Sequence, residues 1–192
     1  MDIKISVQST PNPNALKFIL NVPVKNEGKI TFKNPQACPN IPLAQELFKI
    51  VNVSDIHFFE NVITVTQTGD GDWDPLIEQI KSVILANIEK HDASFVVEEE
   101  KRKADIKNLD PEISKIEEIL DRTVRMYLQS DGGDIQVLKL EGTVLTVNYQ
   151  GACGSCPSST AGTLKAIENI LKEEYNPDLE VVSLNSGMAH DH

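Results

Sequence analysis

Short runs of alternating apolar and polar residues fill the first half of the chain and predict a sheet. Turn-forming residues separate the runs "IKISVQ", "ALKFIL", "KITFK", "DIHFFE" and "VITVTQ". The last two flank Asn61 closely enough to form a tight hairpin. We expect a short helix in "IPLAQELFKI" and a longer one that begins at Asp74 and Pro75 and lays an apolar stripe on the sheet.

The C-terminal part predicts the order helix, strand, strand, helix, strand. Asp110 and Pro111 begin a helix whose apolar residues keep the spacing of three and four as far as Tyr127, and Gly132 and Gly133 end it. The runs "DIQVLKL" and "TVLTVNYQ" then form a hairpin, followed by a helix and the strand "LEVVSL". Strands and helices are thus expected in an α+β arrangement.

A charged segment separates these two parts. Residues 98–110, "EEEKRKADIKNLD", hold nine charged residues between segments that are clearly periodic. We therefore predict two small α+β domains joined by a charged linker. The predicted bounds are 1–96 for the first domain, 97–111 for the linker, 112–186 for the second domain and 187–192 for a tail.

The charge and hydropathy of the chain exclude some classes of partner. The formal net charge is −11, and Lys and Arg are interspersed with Asp and Glu, so neither nucleic acid nor an anionic membrane is an expected partner. The chain contains no run of about 18 apolar residues and no recognisable targeting segment at its N-terminus. We expect a cytoplasmic protein, with a mature organellar protein as the alternative.

The candidate chemistry lies in "GACGSCPSST", where Cys153 and Cys156 stand among small residues. Together with Cys38 they make three cysteines, too few for a disulfide framework, so a metal or redox role for the close pair fits better. Pro157 is expected at the first position of a helix, which places Cys156 at or near the N-cap. The positive end of the helix then favours thiolates.

Three kinds of site share this geometry: a tetrahedral metal site, an iron-sulfur cluster and a dithiol redox centre. A zinc site, as in a zinc-stabilised interaction module, needs four protein ligands. The other thiol and imidazole candidates show no pairing that would complete such a site; they are Cys38, His57, His91, His190 and His192. A thioredoxin-like thiol-disulfide oxidoreductase would need a preceding parallel crossover unit, whereas this pair follows a hairpin. A cluster wants four thiolates, which two symmetric chains supply together.

Two stretches resemble a known family. "LQSDGGDIQVL" followed by "GACGSCPSSTAGTLKAIE" resembles the C-terminal domain of NifU, which Nfu-type iron-sulfur scaffold and carrier proteins share. "TPNPNALKF" is similar to the start of the N-terminal domain of Nfu proteins. The resemblance implies a [4Fe-4S] cluster, with [2Fe-2S] as the alternative, bound by Cys153 and Cys156 of two chains in a homodimer.

The resemblance also implies a role and a set of partners. Upstream cluster assembly proteins would supply the cluster, and apo iron-sulfur proteins would accept it. The N-terminal domain would bind no cluster and would help to choose acceptors. The protein would not be an enzyme; the alternative is a small thiol-disulfide oxidoreductase that uses the same two cysteines.

Other polar residues near these motifs have simpler explanations. Asp131 and Asp134 could be metal ligands, but a turn at Gly132 and Gly133 in which the aspartates bond to nearby backbone N–H groups is favoured. Cys38 is expected to be structural. The stretch "TPNPN" is expected to form a rigid loop before a strand.

Overall fold

The computed structural model describes residues 2–69, 71–98, 100–101, 105, 110–155 and 160–184, with side chains for all of these except residues 155, 160 and 161. The chain divides into two compact units, Met1–Phe95 and Val96–His192. Helices and strands contribute to both units, which confirms the predicted α+β class. No helix within the described ranges is long and apolar enough to cross a bilayer.

The N-terminal unit is built on a five-stranded antiparallel sheet. Its strands are β1 (Ile5–Ser9), β2 (Ala15–Leu20), β3 (Lys25–Phe32), β4 (Val53–Glu60) and β5 (Val62–Gln67). They lie in the order β1-β2-β5-β4-β3. Asn61 turns β4 into β5 as predicted, and its Nδ2 donates to the Leu20 carbonyl on β2 at 2.6 Å.

Two helices, α1 (Pro42–Phe48) and α2 (Trp73–Asn87), bury apolar stripes in this unit. The predicted start of α2, with Asp74 as N-cap, is wrong by two residues. Asp72 is the N-cap, because its carboxylate accepts a hydrogen bond from the Asp74 backbone N at 3.0 Å. Pro75 still lies in the first turn, where a missing N–H removes no bond from within the helix.

The predicted rigid loop before β2 is present and is held from several sides. The Thr10 hydroxyl donates to the carbonyls of Asn12 and Ala15, and Asn12 Oδ1 accepts from the Asn14 backbone N at 2.9 Å. Trp73 Nε1 donates to the Pro13 carbonyl at 3.0 Å, which ties the loop to the start of α2. Local Asx and Thr bonds and the bond from Trp73 therefore hold the loop together.

The C-terminal unit packs helices on a three-stranded sheet. Its elements in chain order are α3 (Pro111–Thr123), α4 (Arg125–Ser130), β6 (Gly133–Glu141), β7 (Val144–Gly151), α5 (Thr160–Glu174) and β8 (Glu180–Ser183). β7 is the central strand, antiparallel to β6 and parallel to β8. Asp110 caps α3 as predicted, accepting from the Glu112 backbone N at 3.0 Å.

The prediction of a single helix between Asp110 and Gly132 is wrong. Val124 has a φ of −103° and separates α3 from the short α4. In α4 the side chains of Arg125 and Leu128 are buried and Tyr127 is 71% exposed, although the spacing placed Tyr127 in the core. A periodic pattern fixes a helix face only as long as the helix continues.

The charged segment contains helical residues. Glu98, Glu100, Lys101 and Asp105 are helical, and the Val97 backbone N donates to Glu100 Oε2 at 3.2 Å. The units divide between Phe95 and Val96. The predicted bounds of the linker and of the second domain stay predictions.

Candidate metal centre

The pairing of β6 with β7 brings the double glycine and the cysteine loop together. Gly133 and Gly151 are Cα partners at the end of the ladder, and the Ala152 backbone N donates to the Gly132 carbonyl at 3.1 Å. Cys153 follows in a short 3₁₀ turn, Ala152–Ser155. Its side chain is half-buried and packs against the core of the unit.

The Cys153 side chain occupies the space above Gly133. A Cβ atom on Gly133 would lie 2.8 Å from the Cys153 backbone N and 2.9 Å from its Cβ, and closer still to Sγ. Real Cβ atoms do not approach other atoms so closely, so any other residue at this position would move the cysteine turn. The start of β6 and Cys153 thus fit together only with glycine at this position.

Tyr149 lies beneath the same turn. Its side chain is fully buried, and its ring belongs to the core against which Cys153 packs. Burial, and then the charge that a Cys153 thiolate carries, raise the pKa of Tyr149 to about 12. The Tyr149 carbonyl also limits the turn, because a Cβ on Gly154 would lie 3.1 Å from that oxygen.

The first residue after the double glycine is held by a buried ion-pair network. Asp134 is completely buried, and its carboxylate accepts from the Ile135 backbone N at 2.6 Å and from Gln129 Nε2 at 2.8 Å. Arg125 Nε lies 3.4 Å from Asp134 Oδ1, and Arg125 also pairs with Glu117. These bonds use the Asp134 carboxylate for structure, in agreement with the predicted turn and against a ligand role.

The same network keeps the guanidinium of Arg125 charged. Burial alone would lower the pKa of Arg125, but the carboxylates of Glu117, Asp121 and Asp134 outweigh burial and raise it above its ordinary value. Asp131, by contrast, is exposed and ends α4 as its C-cap residue. The Asp134 carboxylate therefore helps to hold the turn that carries Gly133.

The structure locates one of the two predicted ligands. Cys153 lies as described, whereas Cys156 and Pro157 fall outside the described residues, as do His190 and His192. The expected N-cap role of Cys156 and the pairing of the two thiols stay predictions. In the part of the chain that the structure describes, no group of three or more His, Cys, Asp or Glu residues could hold a metal ion.

The remaining thiol and imidazole candidates serve the N-terminal unit. Cys38 is fully buried, its Sγ lies 3.5 Å from the Pro35 carbonyl, and burial raises its pKa to about 11. His57 is buried with Nδ1 at 2.8 Å from the Thr31 hydroxyl. His91 Nε2 lies 2.7 Å from the Val24 carbonyl, and burial lowers its pKa. Cys38 is structural, as predicted.

Sequence reasoning missed two residues of this centre. Gly133 was interpreted only as a helix stop, and Tyr149 only as part of a strand. A signal for Gly133 was present, because a glycine that begins a strand often marks the close approach of another part of the chain. Nothing in the local pattern distinguishes Tyr149 from other inward-facing strand residues.

Comparison with protein families and known proteins assigns both parts of the chain. The family model described as "NifU-like domain" matches residues 116–182, and the one described as "Scaffold protein Nfu/NifU N terminal" matches residues 5–91. An NMR structure of a NifU-like protein from Saccharomyces cerevisiae aligns with 50% of this chain and 86% of its own, at 20% identity and a TM-score of 0.44.

Relatives cover nearly the whole chain. The mitochondrial NFU1 iron-sulfur cluster scaffold homologue of Homo sapiens is 35% identical over 179 residues, which are 93% of this chain and 70% of the human protein. Its namesake in Drosophila grimshawi is 32% identical over 182 residues, and there the chain spans only 60% of the relative. The match to the human protein and the matches to the two family models lead to the same assignment. The chain belongs to the Nfu family of iron-sulfur cluster scaffold homologues.

Proposed function

We propose that this chain is an iron-sulfur cluster scaffold and carrier. Cys153 and Cys156 of one chain, together with the same pair of a second chain, bind one [4Fe-4S] cluster as cargo. The observation that carries the proposal is the fit of Cys153 over Gly133, which fixes a half-buried thiol at the surface of a rigid sheet end. The names of the relatives support the same role.

The chemistry of the donor set favours this cargo. Iron-sulfur clusters are bound by about four cysteine thiolates, and one chain offers two closely spaced thiols. A twofold axis through two such loops supplies the rest. Because each chain holds only half of the ligands, separation of the chains releases the cluster, which suits a carrier better than an electron-transfer protein.

The proposed partners follow from the cargo. Upstream cluster assembly proteins donate the cluster, and apo iron-sulfur proteins accept it. The protein's role is to bind and transfer, and no residue of the chain is assigned a catalytic step. We propose a cytoplasmic location, whereas the relatives are named mitochondrial, as in the organellar alternative.

The test is anaerobic reconstitution of the full chain and of three single variants. Cys153→Ser and Cys156→Ser should each reduce bound iron and sulfide to background, because each removes two of the four ligands from the dimer. Cys38→Ser is the matched control and should bind as much iron as the parent protein. Normal iron content in Cys153→Ser or Cys156→Ser contradicts the ligand assignment.

Two further measurements on the same samples define the assembly. Mössbauer spectra distinguish [4Fe-4S] from [2Fe-2S], and sedimentation should show a monomeric apo-protein that becomes a dimer with the cluster. A colourless monomer that reduces a disulfide substrate would instead indicate a thiol-disulfide oxidoreductase.

A further inference from the structure

The two edges of the five-stranded sheet in the N-terminal unit differ in how they are protected. At one edge, β3 contains charged residues, Gly28 with a φ of 72°, and a register shift against β4 between Lys25 and Lys29. A segment that follows α2 also bonds to this edge, because the Asn26 backbone N donates to the Ala93 carbonyl at 2.8 Å. Charges and bulges of this kind keep an edge strand from pairing with another chain.

At the opposite edge, β1 is regular and uncharged. Its sequence, "ISVQS", contains no Gly, Pro or charged residue, and its register against β2 runs without a shift from the pair Ile5 and Leu20 to the pair Ser9 and Leu16. Among the described strands, β2 is its only neighbour. An edge strand with these properties is suited to accept a further strand.

Hydrogen bonds around Leu20 show which backbone groups of β1 point outward. Leu20 is the Cα partner of Ile5, but its backbone N donates to the Asn61 carbonyl at 2.9 Å and its carbonyl accepts from Asn61 Nδ2 at 2.6 Å. One step along the ladder, the Asn21 backbone N donates to the Lys4 carbonyl at 3.3 Å. Bonded and non-bonded pairs alternate in an antiparallel ladder, so the N–H and C=O of Ile5 point away from β2.

The same alternation directs the backbone groups of Val7 and Ser9 outward. The side chains of Ile5 and Val7 lie on the core side of the sheet, because their partners on β2 are buried. Both side chains are themselves only half-buried, since they lie at the edge. An added strand therefore completes the ladder and covers apolar surface at the same time.

The charge around β1 is opposite in sign to that of the whole chain. Residues 3–26 contain three Lys and no Asp or Glu, although the net charge is −11 and about four acidic residues would be expected in a stretch of this length. Lys4 is exposed just before β1, and Lys17 lies opposite Gln8 on the side of the sheet away from the core; Asp2 is the nearest acidic residue in the sequence. These positions favour an acidic partner strand.

We infer that β1 binds an extended segment of an acceptor protein as an additional strand of the sheet. In that segment apolar residues alternate with acidic ones. The apolar residues extend the core beside Ile5 and Val7, and the acidic residues lie on the other side, near Lys4 and Lys17. The choice of an acceptor as the occupant rests on the proposed function, whereas the edge and its charge do not. A second copy fits less well, because its β1 would bring the same positive charge.

Amide hydrogen exchange of the full chain, with and without the blocked peptide Glu-Val-Glu-Val-Glu-Val-Glu, tests the strand addition. Saturating peptide should slow exchange at the amides of Ile5 and Val7 by about tenfold or more, because these N–H groups gain acceptors. The peptide Lys-Val-Lys-Val-Lys-Val-Lys should bind about tenfold more weakly. No binding, equal affinity for the two peptides, or protection away from β1 contradicts the inference. Protection that rises with protein concentration alone would make a second copy the occupant and also overturns it.

Two variants of the full chain test the same edge. Val7→Pro should abolish peptide binding, because proline is tolerated on an edge strand but cannot donate the outward hydrogen bond. Gln8→Glu changes only an exposed side chain and should weaken binding of the acidic peptide about threefold. The matched control is Gln79→Glu on α2, which adds the same charge at another exposed position and should leave the affinity unchanged. Circular dichroism and Trp73 fluorescence verify the fold, and parental affinity in either folded β1 variant overturns the inference.

Cluster transfer separates this inference from the proposed function. Val7→Pro should bind as much iron as the parent, because both candidate ligands lie in the other unit, and it should transfer the cluster about tenfold more slowly to at least one apo iron-sulfur protein. Transfer at the parental rate to every acceptor tried overturns the inference and leaves the carrier function in place. Peptide binding by a parent protein that binds no cluster removes the proposed function and leaves the strand site in place.

Discussion

Gly133 shows how one residue links the fold to the candidate centre. Its lack of a side chain lets the Cys153 turn rest on the start of β6, and a Cβ there would lie within 3 Å of the Cys153 backbone. Gly162 in α5 offers the opposite situation, because nothing lies within 4 Å of the place where its Cβ would be. The two glycines therefore make a matched pair for substitution.

We expect Gly133→Ala to reduce iron binding on reconstitution and to lower the free energy of unfolding by about 1–3 kcal/mol, because the cysteine turn must move. Gly162→Ala should bind iron normally and be neutral or more stable by up to about 1 kcal/mol. Urea unfolding followed by tyrosine absorbance measures the stability, since all three tyrosines lie in Val96–His192. If Gly133→Ala binds a normal amount of iron and its free energy of unfolding is unchanged, the close approach of Cys153 to Gly133 has no role.

Glu168 connects two elements of the C-terminal unit. From α5 its Oε2 accepts from the Val181 backbone N on β8 at 3.1 Å, while its Oε1 lies 2.7 Å from Lys165 and 2.9 Å from Lys172. The bonds from Lys165, Lys172 and Val181 lower the pKa of Glu168 from 4.5 to about 2. The carboxylate thus holds helix and strand together in its charged form.

We expect this link to depend on pH. Because the folded-state pKa of Glu168 is lowered, its stabilisation is full above about pH 4.5 and is lost as the pH falls towards 2. Glu168→Gln should cost about 1–3 kcal/mol of unfolding free energy at pH 7, and the difference from the parent should shrink in that acid range. The exposed Glu173 provides the control variant Glu173→Gln, which should behave like the parent.

Tyrosine absorbance at each pH reports the C-terminal unit, while fluorescence of Trp73, the single tryptophan, reports the N-terminal unit in the same sample. A cost for Glu168→Gln that is equal at pH 7 and pH 3 contradicts the assigned role.

At the scale of the whole molecule, the two units have separable expected roles. The unit Val96–His192 contains both candidate ligands and its own buried core, whereas Met1–Phe95 contains the structural Cys38. We expect residues 96–192 alone to bind a cluster and to transfer it more slowly than the full chain, because a docked N-terminal unit raises the effective concentration of the cluster at its acceptor.

The measurement is the rate of transfer to several apo iron-sulfur proteins at equal cluster concentration. Addition of residues 1–95 in trans controls for contacts that need no covalent connection. Equal rates from the fragment and the full chain for every acceptor leave the N-terminal unit without the proposed role in partner choice.

Most of the helices and strands could be predicted from sequence because their causes are local. The Asp110 cap, the Asn61 hairpin and the strand alternation depend on neighbouring residues, and the spacing of Cys153 and Cys156 directly indicates thiolate chemistry. The exposure of Tyr127 was mispredicted, because Val124 interrupts the helix and Leu128, not Tyr127, belongs to the core of the unit.

The fit of Cys153 over Gly133 and the burial of Asp134 beside Arg125 needed the tertiary structure. Both contacts depend on the register of β6 against β7, which joins residues that are distant along the chain. Local sequence patterns determine which secondary structure each segment can form, whereas burial of the shared core determines which segments pack together.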